Sequence, residues 1–149
     1  MAKIFLSPSE QFGNKYTGVD TTEGEQMGLL GKLVDEKLRK AGFETKLMHQ
    51  YTMAEKVKAA DKWGADLYIC MHSNAGGGSG THIFYWTKRS KGYAAGMKIF
   101  EQLAPITPGT NDKMIQEQTF YEIKYPEYAV LHPAAVQAAV ACVLLESNA

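Results

Sequence analysis

The sequence is poor in cysteine, and this limits how the fold can be stabilised. Only two of its 149 residues are cysteine, Cys70 and Cys142. Each lies within a short apolar run, where a cysteine usually packs as a small hydrophobic residue. Two cysteines do not indicate the disulfide framework of many small secreted domains. The fold therefore has to depend on a hydrophobic core.

The sequence also lacks long apolar segments and an excess of charge. No segment reaches the roughly 20 apolar residues that a membrane-spanning helix needs. Sixteen basic residues balance sixteen acidic ones, whereas nucleic-acid binding usually needs a basic excess on one face. The short apolar run that ends at Pro8 predicts a buried first strand, and it does not resemble a secretion signal. These features favour one globular domain that has no membrane span and does not bind nucleic acid.

Strand-like and helix-like segments alternate along the chain. Apolar residues recur at three- and four-residue steps from Met27 to Ala41 and from Met53 to Trp63, which predicts helices that end at Gly42 and Gly64. A third helix is predicted over Ser90–Leu103. Apolar runs predict strands at residues 3–7, 44–48, 66–71, 81–86 and 141–145. Weaker patterns suggest a strand at 119–123 and a short helix at 133–139.

This alternation predicts an α/β fold with a mostly parallel central sheet and helices on both faces, in a single domain. In such sheets, sites form beyond the carboxyl ends of the strands. Glu10 and Gln11 follow the first predicted strand, His72 follows the third and Glu146 follows the last. Glu23 lies in the first turn of the first helix, above the same edge of the sheet.

Imidazole and carboxylate groups from separate elements can hold a zinc ion together, so these residues form a candidate metal site. Each of them also has a purely structural interpretation. Glu23 can complement the dipole of its helix, His72 can be a hydrogen-bonded histidine at a strand end, and Glu146 can be a solvated carboxylate near the chain end. Spacing alone does not choose between the two interpretations.

The surrounding segments resemble the zinc-dependent N-acetylmuramoyl-L-alanine amidases. The most specific part is Met71–Ala75, Met-His-Ser-Asn-Ala after a central strand, preceded by Gly64–Tyr68. An apolar strand followed by Glu146 is similar to the last motif of that family. The remaining matches lie in the first half of the chain: residues 7–11, Asn14, Tyr16, Thr22–Glu23 and Gln26–Met27.

The resemblance implies a role for each candidate residue. Two histidines and a glutamate bind zinc in that family, and a late glutamate assists catalysis. When these roles are carried over to this sequence, the resemblance implies that Glu23 and His72 are zinc ligands and that Glu146 is the acid/base residue. The histidine that normally follows the first strand is missing, as in a branch of the family that has a residue like Gln11 there.

Gln11 or Glu10 would then supply an oxygen ligand. A neutral amide is a poor zinc ligand, so a lower affinity is expected. The other histidines, His49, His82 and His132, remain alternatives for the missing ligand. Asn74 and the glycine-rich loop 76–80 are expected to form the rim of the cleft.

The function implied is a zinc-dependent hydrolase that cleaves the amide between N-acetylmuramic acid and L-alanine of peptidoglycan. Residues 1–149 would form the catalytic domain, which is trimmed at its C-terminal end or covered there by a partner. Two alternatives stay open: a cell-wall binding module that has lost catalysis, and a metallopeptidase that cuts within the stem peptide. Action on the cell wall outside the membrane, without an export signal, suggests a phage-released lysin or a domain excised from a longer protein.

Overall fold

In the part of the chain that the structure describes, six strands form one sheet, and helices lie on both of its faces. The computed structural model describes residues 2–16, 18–74, 80–89, 91–107, 110–116 and 141–146, and only the main chain of residues 74, 91 and 141–146. The helices are α1 (Glu23–Lys40), α2 (Met53–Trp63) and α3 (Lys91–Leu103). The strands are β1 (Lys3–Pro8), β2 (Glu44–Leu47), β3 (Leu67–Asn74), β4 (Gly80–Tyr85), β5 (Lys113–Gln116) and β6 (Ala141–Glu146).

The strand order is β2-β1-β3-β6-β4-β5. The first four strands in this order are parallel to one another, whereas β4 and β5 run in the opposite direction. The prediction of a mostly parallel sheet is therefore confirmed. The ends of β1, β3 and β6 share one edge of the sheet, here called the carboxyl edge. The strand β4 starts at this edge, because Gly80 pairs with Glu146.

Two apolar clusters hold the helices on the sheet. Alternate residues of a strand point to opposite faces, so Phe5 packs with α2 whereas Leu6 packs with α1 and α3. On the α2 face, Val57 and Ala60 contact residues of β1, β3 and β4. Complete burial of a side chain such as that of Phe5, Leu6 or Val57 stabilises the fold by about 1.5–3 kcal/mol. The sheet is thereby fixed between two helical layers.

Capping residues define both ends of α1 and α2. The hydroxyls of Thr22 and Thr52 each accept a hydrogen bond from a backbone N–H of the first helical turn, which satisfies a donor that the helix leaves unpaired. The C-cap of α1 is Ala41, directly before the predicted Gly42 (φ 95°), and the C-cap of α2 is the predicted Gly64 (φ 77°). Because Thr22 caps α1, Glu23 is fixed at its first position, at the carboxyl edge.

The strand β5 was not predicted from the sequence. It contains only Lys113–Gln116 at the outer edge of the sheet, where its terminal residues are exposed. Such short polar edge strands carry little hydrophobic periodicity. The predicted strand at 119–123 and helix at 133–139 lie outside the described residues. No helix in the described part of the chain has the length and apolar character to cross a membrane.

The expectation for the cysteines is only partly confirmed. Cys70 is completely buried, but it is disulfide-bonded and not a thiol. The only other cysteine in the sequence is Cys142, and the pairing of β3 with β6 places it opposite Cys70. A disulfide partner has no characteristic spacing along the sequence, so the pattern of residues could not reveal that Cys70 is bonded.

Candidate functional site

Two of the predicted metal ligands are in contact at the carboxyl edge. The Nδ1 atom of His72, at the end of β3, lies 3.2 Å from Oε2 of Glu23. Glu23 is almost completely buried, with 1% of its surface exposed. Two tetrahedral zinc ligands with bonds of about 2.0 Å lie about 3.3 Å apart. The imidazole and the carboxylate therefore fit a shared zinc ion by type and by spacing.

The surroundings of Glu23 keep its carboxyl group ionised. Burial raises the pKa of Glu23, but hydrogen bonds from His72 and Ser9, the charge of His72 and a bond from Asn14 outweigh burial and hold the pKa below its ordinary value of 4.5. The Asn14 amide donates to Oε1 over 2.9 Å. A carboxylate that is ionised at neutral pH can bind a cation without first losing a proton.

The segment after β1 is held against both α1 and β3. The backbone carbonyl of Gln11 accepts hydrogen bonds from the N–H groups of Gly24 and Asn14, at 3.1 and 3.3 Å. The Tyr16 hydroxyl is hydrogen-bonded to the hydroxyl of Ser73, next to His72. These bonds bring the Gln11 main chain beside the first turn of α1, while its side chain is exposed. Coordination of zinc by that side chain remains a prediction.

The Glu10 carboxylate has a different partner. It forms an ion pair with the Lys56 ammonium of α2, which also donates to the Pro8 carbonyl over 2.7 Å. Lys56 is only 1% exposed, and a buried ammonium without an anion is strongly unfavourable. The pairing of Glu10 with Lys56 therefore favours Gln11 over Glu10 as the oxygen ligand.

Two of the alternative histidines make structural contacts. The Nε2 atom of His49 donates to the Ser9 carbonyl over 2.9 Å, and that of His82 donates to the Asn111 carbonyl over 3.0 Å. His132 lies outside the described residues. Within the described part of the chain, no group of three or more histidine, cysteine, aspartate and glutamate residues is arranged to hold a metal.

The main chain of Glu146 ends β6 at the carboxyl edge. Leu144 is paired with His72, and Glu146 is paired with Asn74. The glutamate therefore lies one strand away from His72 and two residues nearer the edge. The side chains of Glu146 and Asn74 and the loop residues 76–79 lie outside what the structure describes, so their roles remain predictions.

The sequence did not reveal the residues that support the site. Ser9 and Asn14 both bond to Glu23, and both lie in the segment that resembles the amidases. That segment was the available signal, although it assigned neither residue a role. Lys56 gave no signal, because lysine in a helix normally indicates a solvated face.

Several solved structures share the fold. The amidase AmiC2 of Nostoc punctiforme matches with a TM-score of 0.67 and 15% identity, over 98% of this chain and 78% of that chain. The catalytic domain of CwlV, an amidase from Bacillus (Paenibacillus) polymyxa var. colistinus, matches with a TM-score of 0.64 and 17% identity, over 98% and 79% of the two chains.

The catalytic domain of an endolysin targeting Clostridia difficile also matches, with a TM-score of 0.62 and 17% identity, over 97% of this chain and 79% of that chain. At these identities the likeness establishes the fold. The chain therefore has the same α/β fold as these three domains.

A family model identifies the chain more specifically. The model described as N-acetylmuramoyl-L-alanine amidase matches residues 10–146, which is most of the sequence. The protein belongs to this family, and the resemblance seen in the sequence is confirmed. The comparison with curated proteins found no match.

Proposed function

We propose that the protein is an N-acetylmuramoyl-L-alanine amidase, which hydrolyses the amide between the lactyl group of N-acetylmuramic acid and L-alanine in peptidoglycan. The observation that carries the proposal is the contact between the buried, ionised Glu23 and His72 at the carboxyl edge. This pair occurs in a chain of the amidase family. The proposed substrate places its action in the cell wall, outside the membrane.

Glu23 and His72 are the proposed zinc ligands, with the Gln11 side chain as an oxygen ligand. Zinc, when bound, supplies Lewis acidity toward a carbonyl group and lowers the pKa of water. His72 has to lose its Nδ1 proton when that atom binds a metal. The hydrogen bonds from Ser9 and Asn14 orient the Glu23 carboxylate, a support that is common around metal ligands.

Glu146 is the proposed acid/base residue. Its carboxylate takes a proton from the attacking water and transfers it to the leaving nitrogen of L-alanine. The new bond joins the water oxygen to the lactyl carbonyl carbon, and the bond from that carbon to nitrogen breaks. The products are a lactyl carboxylate and a peptide with a free L-alanine amine.

Digestion of purified cell wall tests the proposal. The wild-type protein loaded with zinc should release new amines on L-alanine, which are identified by labelling of free amino groups and hydrolysis. Glu23→Ala should abolish this release. Glu25→Ala is the matched control, because it removes a carboxylate from the same turn of α1, and it should remain active.

Two other results would contradict the proposal. New amines deeper in the stem peptide would identify a metallopeptidase. Retention of the protein on the cell wall without any new amine would identify a binding module, the candidate that the missing first histidine favours.

A further inference from the structure

An open cleft of about 680 Å³ lies at the carboxyl edge, beside the proposed zinc ligands. We call it the aromatic cleft. It is formed by the segment after β1 and by the turn that leads from β2 into α2. Its lining residues are Glu10, Phe12, Gln50, Tyr51, Thr52 and Met53. Glu10 adjoins Ser9, which is hydrogen-bonded to Glu23, so the cleft begins next to the proposed reaction centre.

The Phe12 ring is fixed in place although 38% of the residue is exposed. On one side it packs so closely on α1 that a Cβ atom at Gly24 would lie 2.8 Å from the ring. It also contacts the His49 ring, with 5.3 Å between ring centroids. His49 is itself fixed by its bond to the Ser9 carbonyl. A binding partner would therefore meet a ring that is already ordered.

The other wall presents a second aromatic residue from a strained turn. Tyr51 is 48% exposed. The preceding Gln50 has a φ angle of 65° and is the only non-glycine residue with positive φ in the described part of the chain. Such a backbone conformation is costly and is concentrated at binding and catalytic sites. The strained turn therefore supports a binding role for the residues around it.

The charge of the lining favours a neutral partner. Among the described lining residues, Glu10 is the only charged one, and Lys56 already balances that charge. A stem peptide carries carboxylates, which a basic side chain would pair with, and none of the lining residues that the structure describes is basic. An N-acetylated sugar is neutral and has an apolar face that can stack on an aromatic ring. Its hydroxyl and acetamido groups can bond to the polar side chains of Gln50 and Thr52.

We propose that the aromatic cleft binds an N-acetylhexosamine unit of the glycan strand, with Phe12 and Tyr51 as stacking surfaces. This inference rests on the proposed function, because it assigns the cleft to the same substrate. A polymeric glycan would then occupy the cleft and the zinc site together. A small muramoyl peptide would reach only the zinc site.

Binding of a peptide-free tetramer of β-1,4-linked N-acetylglucosamine tests the cleft directly. Titration of the whole chain, followed by calorimetry, should show binding that Tyr51→Ala weakens about five- to tenfold, as expected for loss of one aromatic contact. Phe12→Leu should act similarly while retaining apolar packing on Gly24. Phe43→Ala is the matched control, because Phe43 is also 38% exposed but precedes β2 at the opposite end of the sheet.

A kinetic comparison gives a second readout. Tyr51→Ala should raise KM for polymeric cell wall and leave kcat unchanged, with little effect on a muramoyl dipeptide. Equal tetramer binding by wild type, Tyr51→Ala and Phe12→Leu would overturn the proposal. Weakened binding of a free stem peptide, with tetramer binding unchanged, would assign the cleft to peptide. Tetramer binding does not depend on hydrolysis, so failure of the proposed function would be seen separately, as absence of new L-alanine amines.

Discussion

At the scale of single residues, Glu23 shows how burial and hydrogen bonding compete at one carboxyl group. Burial alone would favour its protonated form, which is a poor ligand for a cation. Donors from two different segments, Ser9 and Asn14 after β1 and His72 in β3, reverse that preference. The lowered pKa of Glu23 therefore depends on tertiary structure, and it returns to the ordinary value of 4.5 when the chain unfolds.

This dependence predicts how acid affects the metal-free protein. The pKa of Glu23 is below 4.5 in the folded state, so its carboxylate stabilises the fold above pH 4.5, and this contribution is lost as the pH falls through the lower folded pKa. In Glu23→Gln, the free energy of unfolding by urea should therefore fall less steeply with acidification below pH 4.5. Asn14→Ala should give an intermediate slope. An unchanged slope in Glu23→Gln would contradict the assignment.

A second prediction at this scale concerns the two candidates for the oxygen ligand. Gln11→His should tighten zinc binding, because imidazole is a better zinc ligand than a neutral amide. Glu10→Ala should leave the affinity for zinc nearly unchanged but lower the free energy of unfolding by about 1–3 kcal/mol, because Lys56 loses its carboxylate partner. Competition with a chelator measures the affinity. Loss of zinc in Glu10→Ala would show that Glu10, and not Gln11, supplies the oxygen ligand.

At the scale of elements, the sequence predicts the helices and strands whose apolar residues recur at regular, short spacings. The helices α1 and α2 are predicted by their apolar periodicity, and their C-terminal ends are predicted by Gly42 and Gly64. The contact between Glu23 and His72 was anticipated because two elements bring their polar ends to one edge. The ion pair of Glu10 with Lys56 and the support of Phe12 by His49 join residues far apart in sequence. Such pairs leave no periodic signal, so the aromatic cleft became visible only in the structure.

The strand β6 leads to a prediction for Glu146, whose main chain it brings to the carboxyl edge beside Asn74. Glu146→Gln should reduce amide hydrolysis about 10²–10⁴-fold, the usual contribution of a positioned acid or base. The amide has the same shape, so zinc content and thermal stability should not change. Digestion rates of cell wall are to be compared at matched zinc occupancy. An unchanged rate would show that another group transfers the proton.

At the scale of the whole molecule, zinc should act as a stabilising ligand. Its proposed ligands come from α1, β3 and the segment after β1, so a bound ion would join three parts of the fold. Zinc at about 100 times its Kd should add about 2.7 kcal/mol to the free energy of unfolding. Differential scanning calorimetry should show a higher Tm with zinc and none of this increase in His72→Ala. An equal rise in Tm for both proteins would indicate binding elsewhere.

The position of β6 within the sheet has a consequence for synthesis. The strand lies between β3 and β4, although the ribosome makes it after every other strand of the sheet. Until β6 emerges, the growing chain can form only two separate half-sheets, each with an open edge that can pair wrongly. The strand that joins the halves also carries Glu146. Completion of the fold and the arrival of the proposed acid/base residue are therefore the same event, so the proposed activity would require the finished sheet.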